Sequence, residues 1–262
     1  MKNIIVFVFC LVIIAITLSG CSQQSNNKID IDKQLTQSQI DEIISLTNEG
    51  LIKDIDYSKV TRPDPEEQAK INNKCRNLGE SLKGRVTIEN MAIIIAHING
   101  EAVTLSEWHY EKISEITKSE NMNKPVPSDE EIFNNLLKIK TISSTARKLG
   151  LYPPVDQINT YLADQKKCMA MMELEEIAVL LDAWDISEEE YLLLMEDRFA
   201  DNLAKTNWGI YFDKYSNISE KEAGYLAKSP LWIDENIIEP LLENAKVELT
   251  PEGRQLLTIG AS

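Results

Sequence analysis

A short apolar run, rich in β-branched residues, lies between two parts of the chain whose apolar residues recur at helical spacing. The run extends from Ala92 to Ile98, meets Asn99-Gly100, and is followed by the segment Glu101 to Thr104. Asn-Gly next to such a run is the strongest short-range signal of a β-hairpin, because the two-residue turn needs positive φ at both positions. The sequence therefore predicts a strand, a tight turn and a short second strand here.

Amphipathic helices are predicted on both sides of this hairpin. Thr104 with Glu107 and Ser187 with Glu190 match the capping box, in which a hydroxyl and a carboxylate satisfy the free backbone N–H groups of a first turn. Another helix starts at 128–131 and ends at Gly150. The predicted fold class is mainly α with a small antiparallel β element, ending in a helix over 231–245 and a strand over 247–249.

The segment 36–84 is predicted to hold two further amphipathic helices, over 36–55 and 64–82. Both have an apolar stripe that needs a surface to pack on. The polar residues 21–35 before them lack periodicity and are typical of a flexible tether. Residues 250–262 are expected to form a tail.

The first twenty residues have the composition of an export signal. Lys2 precedes an apolar run from Ile4 to Leu18, which is shorter than the ~20 apolar residues of a membrane-spanning helix. Leu18-Ser19-Gly20-Cys21 resembles the bacterial lipobox. That resemblance implies cleavage between Gly20 and Cys21, lipid on the Cys21 thiol, and anchoring at the outer face of the cell membrane. The alternative is an ordinary export signal followed by a coincidental cysteine.

The charge of the chain limits the classes of molecule that we expect it to bind. The net charge is −15, and no block of Lys or Arg occurs. Nucleic-acid binding is therefore not expected, since it needs a basic face. Membrane contact is expected to come from the lipid, because a polybasic patch for anionic lipid is also missing.

Motifs for metal, cofactor or catalytic chemistry are not found. Cys75 and Cys168 lie far apart without a CxxC pattern, so two buried thiols are favoured and a disulfide stays possible. His97 and His109 are more often structural than metal-ligating in such a setting. Nucleophile-elbow, HExxH and phosphate-loop motifs are absent from the sequence. We therefore expect no cofactor, no metal and no enzymatic activity.

Four stretches occur in the order seen in one family of chaperones. They are Ile94 to Glu107, Ala146 to Asp156, Leu180 to Tyr191 and Leu242 to Glu248. Together they resemble the SurA/PrsA-type N-terminal chaperone domain over roughly 90–212, with a weaker echo near the end at 231–249. Asp185 departs from the pattern, since the family often has Gly there.

The resemblance implies an extracytoplasmic chaperone that binds unfolded exported polypeptides without ATP. The family often carries a parvulin prolyl-isomerase domain, which needs on the order of 100 residues, whereas the gap at 215–230 is far shorter. Two alternatives remain: a partner-specific adaptor on the same scaffold, and a residual prolyl isomerase.

Methionines and aromatic residues are the candidate contacts with unfolded polypeptides, the clients of such a chaperone. An unbranched Met side chain repacks around many partners, although such residues also fill helical cores. The sequence after Leu203 continues an amphipathic helix past its inward stripe, which favours an exposed patch there. The candidate residues are Trp208, Ile210, Tyr211, Phe212, Met169 and Met172.

Overall fold

The structure, a computed structural model, describes residues 35–51, 63–172, 175–215 and 238–257. The predicted export signal, Gly20, Cys21 and the tether up to residue 34 lie outside the described residues. The described part is mainly helical and contains one three-stranded antiparallel sheet. None of its helices combines the length and the hydropathy needed to cross a bilayer.

Helices make up most of the described part, and its three strands are short. In chain order they are α1 (Gln37–Leu51), α2 (Pro65–Leu82), α3 (Ile88–Met91), β1 (Ile94–Ile98), β2 (Glu101–Thr104), α4 (Leu105–Asn121), α5 (Asp129–Lys148), α6 (Val155–Met172), α7 (Glu175–Trp184), α8 (Glu188–Tyr215), α9 (Glu239–Glu243), β3 (Val247–Leu249) and α10 (Pro251–Leu256). The mainly α fold class with a small antiparallel sheet is confirmed.

The predicted hairpin is confirmed. Asn99 has φ 53° and Gly100 has φ 89°, so both turn residues take the positive φ that the two-residue turn requires. β1 is the central strand and pairs with β2 on one side and β3 on the other. In this register His97 lies opposite Ala102 and Glu248.

The predicted capping boxes are confirmed as well. The Glu107 N–H donates to Thr104 Oγ1 (3.1 Å) and the Thr104 N–H donates to Glu107 Oε2 (2.8 Å). Ser187 and Glu190 exchange the same pair of bonds at the start of α8. Asp185 lies in a turn at a position where the SurA/PrsA-type family often has Gly. Its φ is 67°. Asp tolerates this left-handed conformation better than most side chains.

Among the described residues, three groups of buried side chains form the core, and the long helix α8 contributes to two of them. The first lies around Ile43, Trp208, Tyr211 and Phe212, at the C-terminal end of α8. The second surrounds Trp184 between α2, α4, α7 and the start of α8. The third lies between the sheet, α4, α5 and α10.

The two N-terminal helices pack against different partners. α1 contacts α6 and α8, and α2 lies along α7. Gly79 makes the second contact close: a Cβ there would come 2.6 Å from the carbonyl oxygen of Leu180. The helix predicted over 36–55 is described as far as Leu51, and the one predicted over 64–82 is α2.

The predicted tail at 250–262 is wrong for its first eight residues. Thr250 caps α10 by accepting a hydrogen bond from the Gly253 N–H (3.1 Å), and the Thr250 N–H donates to Ile95 O. Leu257 is only 2% exposed in the third core group. The segment therefore closes the β3 side of the molecule; residues 258–262 lie outside the described part.

Candidate functional site

The prediction that the end of α8 forms an exposed patch is wrong. Trp208 and Phe212 are each 2% exposed and Tyr211 is 1% exposed. Ile43 from α1 and Ile238 beside α9 pack in the same core group, so these two segments cover the face that the sequence suggested was free. Ile210 is half-buried against the same group.

The two candidate methionines lie elsewhere. Met169, on α6, is half-buried and packs against the second core group. The side chain of Met172 lies outside the described part, and so do Gly20 and Cys21. The structure therefore does not bring the predicted client contacts together on one surface.

A cleft between α3 and α8 is the strongest candidate site in the described part of the chain. It has two adjoining hollows that share Val86 and Leu194. The inner hollow has apolar walls from Val86, Met91, Tyr110, Leu136, Ile139, Leu194 and Met195. The outer shelf is lined by residues from 83–89, by Trp184, Asp185 and Ile186, and by Glu190 and Leu194.

Apolar side chains remain exposed at the rim of this cleft. Ile88, on the shelf, is 43% exposed, and Leu193, next to Leu194 on α8, is 45% exposed. An exposed Ile or Leu by itself is ordinary, but here Ile88 lines the outer shelf, and Leu193 is the sequence neighbour of Leu194, which lines both hollows. The exposed apolar surface of the cleft therefore lies on its shelf, whereas most of the apolar walls of the inner hollow are themselves buried.

Helical spacing explains how α8 lines the cleft. Glu190, Leu194, Asp197 and Asp201 recur at steps of four, three and four residues, which places them on one face of the helix. The same face changes from acid to apolar and back to acid along its length. A ligand on this wall therefore meets Leu194 between carboxylates.

Side-chain hydrogen bonds hold the opposite wall in place. Thr87 caps the short helix α3 by accepting from the Asn90 N–H (3.2 Å), and Asn90 Nδ2 donates to the carbonyl oxygen of Arg85 (2.7 Å). The buried Trp184 donates its Nε1–H to the carbonyl oxygen of Val86 (3.1 Å). These bonds connect α3 and its preceding loop to α7, so the wall does not depend on α3's four residues alone.

A buried lysine ties together the floor of the inner hollow. Lys140 Nζ, from α5, lies 2.6 Å from Glu107 Oε1 and 2.8 Å from Asp201 Oδ2. The Ser143 hydroxyl donates to Asp201 Oδ1 (2.7 Å). One cation thus connects α4, α5 and α8 directly behind the cleft.

A second ion pair lies beside the first. Arg198 Nη1 donates to the buried Glu111 Oε2 (2.9 Å), and the guanidinium carbon lies 4.6 Å from the centre of the Tyr110 ring. Hydrogen bonding and the ring face together fix the orientation of Arg198. The walls of the cleft are therefore apolar while its base carries fixed charges.

Two pKa values at the floor are shifted upward, and the physical cause differs between them. Burial alone lowers the pKa of Lys140, but the carboxylates of Glu107 and Asp201 outweigh it and raise this pKa above its usual range. Asp197 reaches solvent at the mouth of the cleft, yet partial burial raises the pKa of its carboxyl, against the lowering effect of Lys140. Asp197 forms no ion pair or hydrogen bond among the described residues.

The described residues include no cluster of three or more His, Cys, Asp or Glu arranged to hold a metal ion. His97 lies on β1 and His109 on α4, where burial lowers its pKa. Cys75 carries a free, half-buried thiol, which removes the disulfide alternative for this residue.

Sequence reasoning missed the side chains that make this cleft. Ile88 lies in a four-residue helix too short for periodicity to detect, and Asp197 resembles any solvated acid on a long helix. Only the juxtaposition of α3 with α8, about a hundred positions apart in the chain, gives these residues a common surface. Comparison of the chain with protein-family models, with curated proteins and with solved structures finds no match.

Proposed function

We propose that this chain is a lipid-anchored extracytoplasmic chaperone, and that the cleft between α3 and α8 binds unfolded exported polypeptides without ATP. One observation carries the proposal: Ile88 is exposed on the outer shelf of a cleft whose inner hollow has apolar walls, and Leu193 is exposed next in sequence to Leu194, which lines both hollows. The resemblance of residues 90–212 to the SurA/PrsA-type chaperone domain supports it, and with it we propose a SurA-like arrangement of these helices.

The physical basis is the burial of apolar surface. Covering a partly exposed Ile or Leu contributes about 1 kcal/mol, since full burial of such a side chain contributes roughly 1.5–3 kcal/mol. A few such contacts give weak, reversible capture, which suits a holdase whose clients must leave again. Lipidation at Cys21 would raise the effective concentration of the chaperone where exported chains emerge.

Aggregation suppression tests the proposal. The mature chain is mixed with a denatured client that is then diluted, and light scattering is followed. We expect suppression by the unaltered chain, and a need for roughly thirtyfold more of the double variant Ile88→Gln/Leu193→Gln, because two contacts of about 1 kcal/mol each are lost.

The matched control is Val155→Gln. Val155 is 73% exposed at the first position of α6 and does not line the cleft. It should suppress aggregation as well as the unaltered chain. Failure of the unaltered chain to suppress aggregation at tenfold excess would count against the chaperone, and an equal effect of both variants would count against the cleft.

The lipid anchor needs its own test, because Cys21 lies outside the described residues. Cells that express the chain are fed a labelled fatty acid and then fractionated. Label and membrane association should both disappear in Cys21→Ser. Unchanged labelling of that variant would remove the lipoprotein proposal while leaving the cleft untouched.

A further inference from the structure

The apolar walls of the cleft favour apolar ligands of any charge, whereas the charged side chains around it favour ligands of one sign. Of the charged side chains described along the two hollows, six are carboxylates and two are cations. The carboxylates belong to Glu89, Glu107, Asp185, Glu190, Asp197 and Asp201, and the cations to Lys83 and Arg198. An apolar segment in this cleft is therefore surrounded by an excess of negative charge.

Both cations already have partners. Lys83 Nζ lies 2.9 Å from Asp185 Oδ2, and Arg198 is bound to Glu111. Lys140, behind the floor, is shared between Glu107 and Asp201. A negatively charged ligand would have to compete for cations that are held by ion pairs.

Three of the carboxylates have no such cation. Asp197, Glu89 and Glu190 form no ion pair among the described residues, although Glu190 caps α8. Asp197 lies at the mouth of the inner hollow, and Glu89 and Glu190 lie along the shelf. The unpaired negative charge is thus placed at the two ends of the apolar surface.

We propose that the cleft selects extended apolar segments flanked by lysine or arginine over segments flanked by acids. The inference rests on the proposed function, since it assigns a class of client to the same cleft. Apolar side chains of the client cover Ile88 and Leu193, and its flanking cations approach Asp197 at one end and Glu89 or Glu190 at the other. Exposed ion pairs of this kind change affinity about twofold to fivefold each.

Fluorescence anisotropy with three labelled peptides tests the selection. The peptides share one apolar core and differ only in flanks of Lys, Gln or Glu, and each is titrated with the unaltered mature chain. We expect the Lys-flanked peptide to bind at least about fivefold tighter than the Glu-flanked one at about 20 mM salt. The ratio should approach one at about 500 mM salt, because exposed charges are then screened.

Asp197→Asn separates the cleft from the overall charge of the molecule, which is strongly negative. This variant should lower the ratio of the two dissociation constants about twofold to fivefold. The matched control Asp41→Asn removes an exposed carboxylate from α1, which packs near the other end of α8, and should keep the ratio.

Each outcome has a separate meaning. Binding of all three peptides with equal affinity would overturn the selection and leave the proposed chaperone function standing. Equal effects of Asp197→Asn and Asp41→Asn would also overturn it, since the preference would then come from net charge alone. If none of the peptides binds, both the selection and the proposed function fail.

Discussion

At the scale of single residues, Lys140 is the side chain on which the floor of the cleft depends most. It is buried and shared by two carboxylates from different helices. A buried ion pair adds little compared with an apolar replacement of the whole cluster, but removal of one partner leaves uncompensated charge in a low-dielectric site. The cost of a substitution here therefore comes mainly from the groups left behind.

Lys140→Met should lower the free energy of unfolding by about 3–5 kcal/mol, because Asp201 and Glu107 lose their cation. Urea denaturation followed by circular dichroism measures this loss. The control Lys70→Met removes an exposed lysine whose Nζ lies 2.6 Å from Glu66, and it should change stability by less than about 0.5 kcal/mol. Equal losses in the two variants would contradict the role given to Lys140.

The thiol of Cys75 should react slowly. Burial raises its pKa to about 11, and the nearby Glu176 adds to the rise. The thiolate is the reactive form, so a raised pKa lowers its fraction below pH 9, although the thiolate that forms is more nucleophilic. At pH 8 we expect a rate at least about tenfold below that of an ordinary exposed thiol.

Labelling with a thiol reagent between pH 7 and pH 9.5 checks this, with Cys21 and Cys168 replaced by Ser. The rate for folded Cys75 should still climb steeply at pH 9.5, whereas the same chain in urea should level off nearer to pH 9. A folded-state profile that levels off with the unfolded one would show that Cys75 has an unperturbed pKa.

At the scale of elements, two glycines within helices have opposite meanings. A Cβ at Gly79 in α2 would lie 2.6 Å from Leu180 O and 2.7 Å from Ala183 Cβ in α7. A Cβ at Gly209 in α8 would meet nothing within 4 Å. Alanine has the better helix propensity at both sites by about 1 kcal/mol, so packing decides the sign.

Gly79→Ala should destabilise the protein by about 1–3 kcal/mol, because α2 must move away from α7. Gly209→Ala should stabilise it by up to about 1 kcal/mol. Thermal unfolding of the two variants provides the comparison. Stabilisation by both substitutions would mean that α2 does not pack on α7 as closely as described.

Element by element, the sequence was informative wherever the signal is local. Asn99-Gly100 predicts the hairpin because the turn conformation depends on those two residues, and the Thr104–Glu107 capping box is satisfied within one helical turn. The prediction of an exposed patch at the aromatic end of α8 was wrong because exposure is not decided locally. Whether Trp208 is exposed depends on α1 and on residues near α9, and no local pattern shows that these cover it.

At the scale of the whole molecule, residues 247–257 close the third core group. Residues 247–257 return to β1, where β3 pairs with it and the Thr250 N–H donates to Ile95 O. Gly253 lies so close that a Cβ there would come within 1.9 Å of the same oxygen. Residues 247–257 therefore complete the third core group, although they lie about 150 positions after the hairpin that they cover.

Truncation after Ala245 tests this closure. It removes β3, α10 and Leu257, exposes Ile95 and Ile98, and leaves backbone groups of β1 unpaired. Loss of one buried Leu costs about 2–5 kcal/mol, and a domain has roughly 5–15 kcal/mol in total, so this group should open in a large share of molecules. Truncation after Leu257 is the control, because it keeps every described contact. Hydrogen exchange at the β1 amides should be fast in the first variant and slow in the second; slow exchange in both would mean that the sheet and α5 hold this core without the C-terminal segment.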